Sequence, residues 1–156
     1  MDSQSVKNTD TAGFKGYDGG KKVSGIKRHI AVDTLGLPHA VAITTADVGD
    51  RAGAIKAMKR NKKTLGTIQS VLCDGGYTGE AFAKEVKTTL SENVTVQIAK
   101  RSELHTFAVL PKRWVVERSF AWIEKNRRLS KNHERFLETS LQFIFLTFIA
   151  LLLRRS

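Results

Sequence analysis

From Gly25 onward the chain alternates between apolar and polar positions. Ile26, Ile30 and Val32 fall on one parity and Lys27, His29 and Ala31 on the other, before Asp33-Thr34-Leu35-Gly36-Leu37-Pro38 turns the chain into residues 39–45. A period of two on both sides of a turn predicts a β-hairpin. Asp50 then suits the N-cap of a helix over 51–61, in which Ala54, Ile55 and Met58 recur at helical spacing. Residues 68–73 form a short apolar run that ends abruptly in Asp74-Gly75-Gly76-Tyr77-Thr78-Gly79; residues 80–90 pattern as a helix and 94–98 as a strand. The order hairpin, helix, strand, helix, strand predicts an α/β sheet with parallel strands and helices on its faces. In such sheets ligands bind beyond the carboxyl ends of the strands, where Asp74 stands.

The next segment, 113–123, follows Pro111 and is apolar around most of its circumference, as expected of a helix packed on several sides. Arg113, Glu117, Glu124 and Arg128 fall on one stripe at 3.6 residues per turn, which predicts two ion pairs, Arg113 with Glu117 and Glu124 with Arg128. Trp114 and Trp122 are expected in the core, and Asp33 in the hairpin turn. The apolar run 141–153 contains Gln142 and Thr147 and falls short of the roughly 20 residues a membrane span requires. It is expected to be a helix buried in the core or against a partner.

Residues 1–22 hold no apolar stretch of the kind a signal peptide needs. Gly13, Gly16, Gly19, Gly20 and Gly25, interleaved with Lys15, Lys21 and Lys22, predict a flexible basic loop. It is not a Walker phosphate loop: Lys15 stands where that motif has its first glycine, and Lys22 where it has Ser or Thr.

Composition narrows the function classes. With 156 residues the chain has room for one domain, and a hydrophobic share of 41% is too high for an intrinsically disordered sequence. Lys and Arg number 26 against 15 Asp and Glu, so the net charge of +11 makes a polyanion the first partner to consider. The single Cys73 excludes an intramolecular disulfide and a cysteine-based zinc site, and the four histidines are too scattered for a His-x-x-x-His pair. The basic end of the first helix, Lys56, Lys59, Arg60, Lys62 and Lys63, fits either a solvated face that complements the helix dipole or a DNA contact.

Four blocks occur in order: Asp2-Ser3-Gln4-Ser5-Val6-Lys7; Gly20-Lys21-Lys22-Val23-x-Gly25-x-Lys27-Arg28-His29-Ile30-x-Val32-Asp33-Thr34-x-Gly36; Asp74-Gly75-Gly76-Tyr77-x-Gly79; and Arg113-Trp114-Val115-Val116-Glu117-Arg118. Together they resemble the catalytic domain of a bacterial insertion-sequence transposase of the DDE type, over nearly the whole chain. The resemblance implies an α/β, RNase H-like fold, a mixed five-stranded sheet flanked by helices, here with its first strand truncated. It implies a catalytic domain over 1–138 and a C-terminal apolar helix over 139–156 that packs on the domain or a partner.

The same resemblance implies that Asp2, Asp74 and Glu117 are the catalytic residues and metal ligands, holding two Mg²⁺ or Mn²⁺ ions. Hard cations of this kind take oxygen ligands, and a pair of them stabilises both oxygens of an in-line phosphoryl displacement. Lys21, Lys22, Lys27, Arg28, Arg113 and Arg118 are the implied DNA contacts. The implied activity is cleavage and strand transfer at the ends of an insertion sequence. The implied partners are DNA, as element ends and target, and further copies of the chain on that DNA, with no membrane and no small-molecule cofactor, in the bacterial cytoplasm at the nucleoid. Leu110 stands where the broader group often has Tyr, and Glu124 where it has Lys, with Lys125 one residue later. Because Asp2 follows only Met1, the chain reads as the downstream part of a frameshifted or truncated transposase, with little transposition activity expected of it in isolation. The alternatives are a metal-dependent nuclease of the same fold and a non-catalytic basic DNA-binding remnant.

Overall fold

The computed structural model describes residues 1–99 and 114–154. In chain order these form β1 (Asp2–Lys7), β2 (Gly16–Asp18), β3 (Val23–Val32), β4 (Pro38–Thr45), α1 (Asp50–Arg60), β5 (Ser70–Cys73), α2 (Glu80–Thr89), β6 (Thr95–Ile98), α3 (Trp114–Glu124) and α4 (Leu137–Leu153). Single 3-10 turns follow β5, at Gly75–Tyr77, and α3, at Arg127–Leu129.

β3 is the hub of a four-stranded antiparallel sheet. It pairs along its length with β1, from Asp2↔Ile30 to Lys7↔Gly25, and with β4, while β2 joins its first residues. β5 and β6 form a second, parallel pair, in register from Ser70↔Thr95 to Cys73↔Ile98. The chain is therefore mixed α/β, as expected; among the described residues its strands lie in sheets of four and two, and a single sheet of five is not seen. The two meet where the Met1 nitrogen donates to Leu72 O at 2.7 Å, because every residue of β1 itself is paired to β3.

Helices cover both faces of the larger sheet. Val41 and Ile43 of β4 face one cluster with Val116, Phe120, Ile123, Leu141, Ile144 and Phe148 of α3 and α4. Ala40 and Ala42, of opposite parity, face the other cluster with Ala54, Ile55 and Met58 of α1. Small residues on the second face let α1 lie close to the sheet. The same closeness explains Gly53: a Cβ there would overlap the His29 ring.

Several sequence-based expectations shift. Residues 2–7, for which the sequence pattern predicts no element, form a six-residue strand that begins at Asp2 and is paired to β3 throughout. Gly49, not Asp50, is the N-cap of α1, and Asp50 is engaged with Lys27 instead. α3 ends at Glu124, so Arg128 lies beyond it and cannot take an i,i+4 position; it pairs with Glu134 at 2.7 Å, and Glu124 accepts from Gln4 Nε2 at 2.7 Å. Among the described residues no helix is long and apolar enough to cross a membrane. α4 buries Leu141, Ile144 and Phe148 and leaves Leu146, Ile149, Leu152 and Leu153 exposed.

Candidate active site

The first site residue is placed by β-pairing. Asp2 begins β1 opposite Ile30, and the Met1 contact to Leu72 sets that end of the strand beside β5. Asp74 is the residue immediately after β5. Its extended backbone caps the Gly75–Tyr77 turn, and its Oδ1 accepts from Gly76 N at 3.0 Å. The glycines give the turn its close return, and Tyr77, 1% exposed, anchors it in the core against Phe82, ring centroids 5.5 Å apart. Asp2 and Asp74, far apart in sequence, thus line one cleft of about 710 Å³.

Burial raises the Asp2 carboxyl above the ordinary aspartate range; the Ser3 backbone amide opposes this at 2.7 Å, and the Asp74 charge adds to it. A carboxyl raised by burial and by a neighbouring carboxylate is suited to an added cation, which would favour the ionised form of Asp2. Lys21 acts in the same direction. It is exposed, its Nζ donates to Ser3 O at 3.1 Å, and its charge acts against the rise at Asp2. Lys22 beside it is also exposed.

Glu117 lies in the first turn of α3 and is exposed, while its neighbours Trp114, Val115 and Val116 line the cleft. Among the described residues no three His, Cys, Asp or Glu side chains are gathered closely enough to hold a metal ion. Asp2 and Asp74 line the cleft together, and Glu117 stands on the helix whose Trp114, Val115 and Val116 also line it. Asp33 also lines the cleft, yet its carboxylate is occupied as a turn former: Oδ1 accepts from Leu35 N and Leu37 N at 2.8 and 2.9 Å, and Oδ2 lies 3.2 Å from His39.

Two expected DNA contacts are corrected. Lys27 is 5% exposed, pairs with Asp18 at 3.1 Å and Asp50 at 3.0 Å, and donates to Val48 O. Arg28 is 2% exposed; it donates to Leu129 O at 2.6 Å and to Gln4 Oε1 at 3.3 Å, and burial lowers its pKa to about 10. Neither presents its charge at the surface, because α1 covers one face of β3 and the Arg127–Leu129 turn covers the other. Arg118 is half-committed as well. Its guanidinium lies between Trp114 and Trp122, 4.4 and 4.9 Å from the ring centroids, and donates to Leu35 O at 2.8 Å, clamping the β3 to β4 turn onto α3. Trp114 is accordingly 46% exposed rather than core. Arg113 lies outside the described residues.

Asp18 was not among the expected site residues. Its carboxylate accepts from Ser5 Oγ at 2.6 Å and pairs with Lys27, and the Ser5 hydrogen bond leads the effects that hold it well below the usual range. It ties β1 to β2 and β3, and so steadies the strand that carries Asp2. The available signal was Asp18-Gly19-Gly20, an Asx-type turn whose Oδ1 accepts from Gly20 N and Lys21 N.

The family model described as Transposase DDE domain matches residues 1–153. A protein of Burkholderia cepacia described as "Putative transposase for insertion sequence element IS402" is 32% identical over 118 residues, covering 71% of this chain and 54% of that protein. The chain thus spans about half the length of this curated relative. No solved structure matches the chain. With the family match running through both cleft aspartates and the helix that carries Glu117, the chain belongs to the DDE-domain transposase family.

Proposed function

We propose that the chain is the catalytic part of an insertion-sequence transposase, which cleaves phosphodiester bonds at the ends of its element and transfers the resulting strands into target DNA. The observation that carries this reading is the placement of Asp2 and Asp74 in one cleft, within a chain that matches the transposase DDE domain. In this reading the sheets of four and two strands are the two parts of an RNase H-like layer that abut at Met1 and Leu72.

Asp2 and Asp74 would hold Mg²⁺ or Mn²⁺ through carboxylate oxygens, and Glu117 would complete the set from α3. When bound, such a cation polarises the scissile phosphate and lowers the pKa of water. The chain's own residues do the rest. Asp18, Ser5 and Lys27 fix β1; Tyr77 fixes the turn after Asp74; Lys21 and Lys22 supply positive charge beside the cleft for the DNA backbone. Such a protein would act on bacterial DNA at the nucleoid, as several copies on each element.

The test is a mobilisation assay with a marked copy of the DNA that carries the coding region and its flanks, the protein being expressed from its natural sequence context. Asp2→Asn, Asp74→Asn and Glu117→Gln are each expected to reduce mobilisation by more than about 100-fold, the upper end of what loss of a merely supporting partner costs. Variants that mobilise the element as the parent does would leave a non-catalytic DNA-binding remnant as the better account. Cleaved ends without joined products would favour a nuclease.

A further inference from the structure

A second concave surface lies away from the two aspartates, between α1 and α2. The groove, of about 620 Å³, is lined by Lys59, Lys62, Lys84, Ala81, Glu85 and the threonines at the end of α2. Lys56, Lys63 and Lys87 are further exposed lysines on the same two helices and the loop between α1 and β5. Lys56, Lys62, Lys63, Lys84 and Lys87 are exposed, and none makes a side-chain hydrogen bond or ion pair among the described residues. The acid in the groove, Glu85, is neutralised by Lys59 at 3.5 Å, and Arg60 outside it by Glu138 at 2.6 Å. Five cations within residues 56–63 exceed what the end of a single helix dipole needs, since that effect fades beyond the last turn.

The chemistry of the lining narrows the occupant. Strongly hydrated ammonium groups and threonine hydroxyls suit phosphate oxygens. The groove has no Arg, Asn, Gln or aromatic side chain, the groups that read base edges or stack on bases. In sequence the groove's Lys62 stands just before Thr64, Leu65, Thr67 and Ile68, which line the first cleft. We propose that the α1–α2 groove is a second DNA-binding surface, in which Lys59, Lys62, Lys63 and Lys84 hold phosphates of duplex DNA whatever its sequence. Its partner is flanking or target DNA rather than the terminal sequence of an element. This inference rests on the reading of the chain as a DNA-acting protein and assigns it a surface.

The experiment is a fluorescence-anisotropy titration of the full chain with a random-sequence duplex of about 30 base pairs, across about 50 to 200 mM salt. The parent is compared with the triple variant Lys62→Gln, Lys63→Gln, Lys84→Gln, whose side chains have no hydrogen-bond or ion-pair partner among the described residues. The plot of log affinity against log salt is expected to become shallower by about 0.9 for each lysine that touches a phosphate, about 2.7 in all, equally on a scrambled duplex. The melting temperature should not change. A parent that binds duplex while the variant keeps the same affinity and slope overturns the groove and leaves the DNA reading standing. A parent with no duplex affinity overturns both. A loss confined to polyglutamate, with duplex binding intact, would assign the groove to an acidic protein and overturn the proposal.

Discussion

His29 is fully buried between the sheet and Gly53 of α1, and its protonation state follows from its one partner. The Thr44 hydroxyl donates to Thr45 O at 3.0 Å, so it accepts from His29 Nε2 at 2.9 Å, leaving Nδ1 unprotonated and without a partner. Burial lowers the pKa from 6.5 to about 4; Asp50 opposes this, and Lys27, Lys21 and Lys56 reinforce it. The unfolded chain therefore binds the proton more readily between these values. Stability is complete above the unfolded pKa and falls as pH drops towards the folded one, by about 3 kcal/mol in full and about 2 kcal/mol by pH 5. Urea unfolding at about pH 7 and pH 5 checks this, and a midpoint that does not fall would contradict it. The alternation in the sequence showed that Lys27 and His29 share a face of β3, but not that α1 covers it. Alternation separates two faces without saying which is dry, and the cover comes from residues more than 20 positions away in sequence, at Asp50 and Gly53.

At the scale of elements, Gly53 sets the distance between α1 and β3. Alanine is the better helix former by about 1 kcal/mol, yet its methyl group would enter the His29 ring, so the overlap decides the sign. Gly53→Ala is expected to destabilise the protein by about 1 to 3 kcal/mol, read as a lower melting temperature. An unchanged or higher one would show that α1 can move off the sheet. The hairpin, α1, α2, β5 and β6 were legible because their apolar spacing is regular. β1 was not: its buried positions are Ser3 and Val6, which share no parity, so the strand exists through pairing with β3 rather than through a pattern of its own. The charged stripe of α3 misled for a related reason. Helical spacing holds only while the helix lasts, and it stops at Glu124.

For the whole molecule, the site is legible as blocks and not as spacing. Asp74 was marked by its place after a strand, whereas Asp2 drew attention only through its likeness to a family motif. Their meeting in one cleft depends on the seam between the two sheets at Met1 and Leu72. The raised Asp2 carboxyl gives that seam a measurable property. A folded carboxyl with a raised pKa costs stability as pH rises past its unfolded value, so Asp2→Asn should melt slightly above the parent at neutral pH when no metal is present. The most direct test is the thermal shift of the full chain on titration with Mn²⁺ or Mg²⁺. At about 100-fold saturation a cation held by Asp2 and Asp74 stabilises the parent by about 2.7 kcal/mol, about 5 to 10 °C for a chain of this size, and the shift should vanish in Asp2→Asn and in Asp74→Asn. No shift in the parent, or an equal shift in the parent and both variants, would contradict a cation site built on these two aspartates.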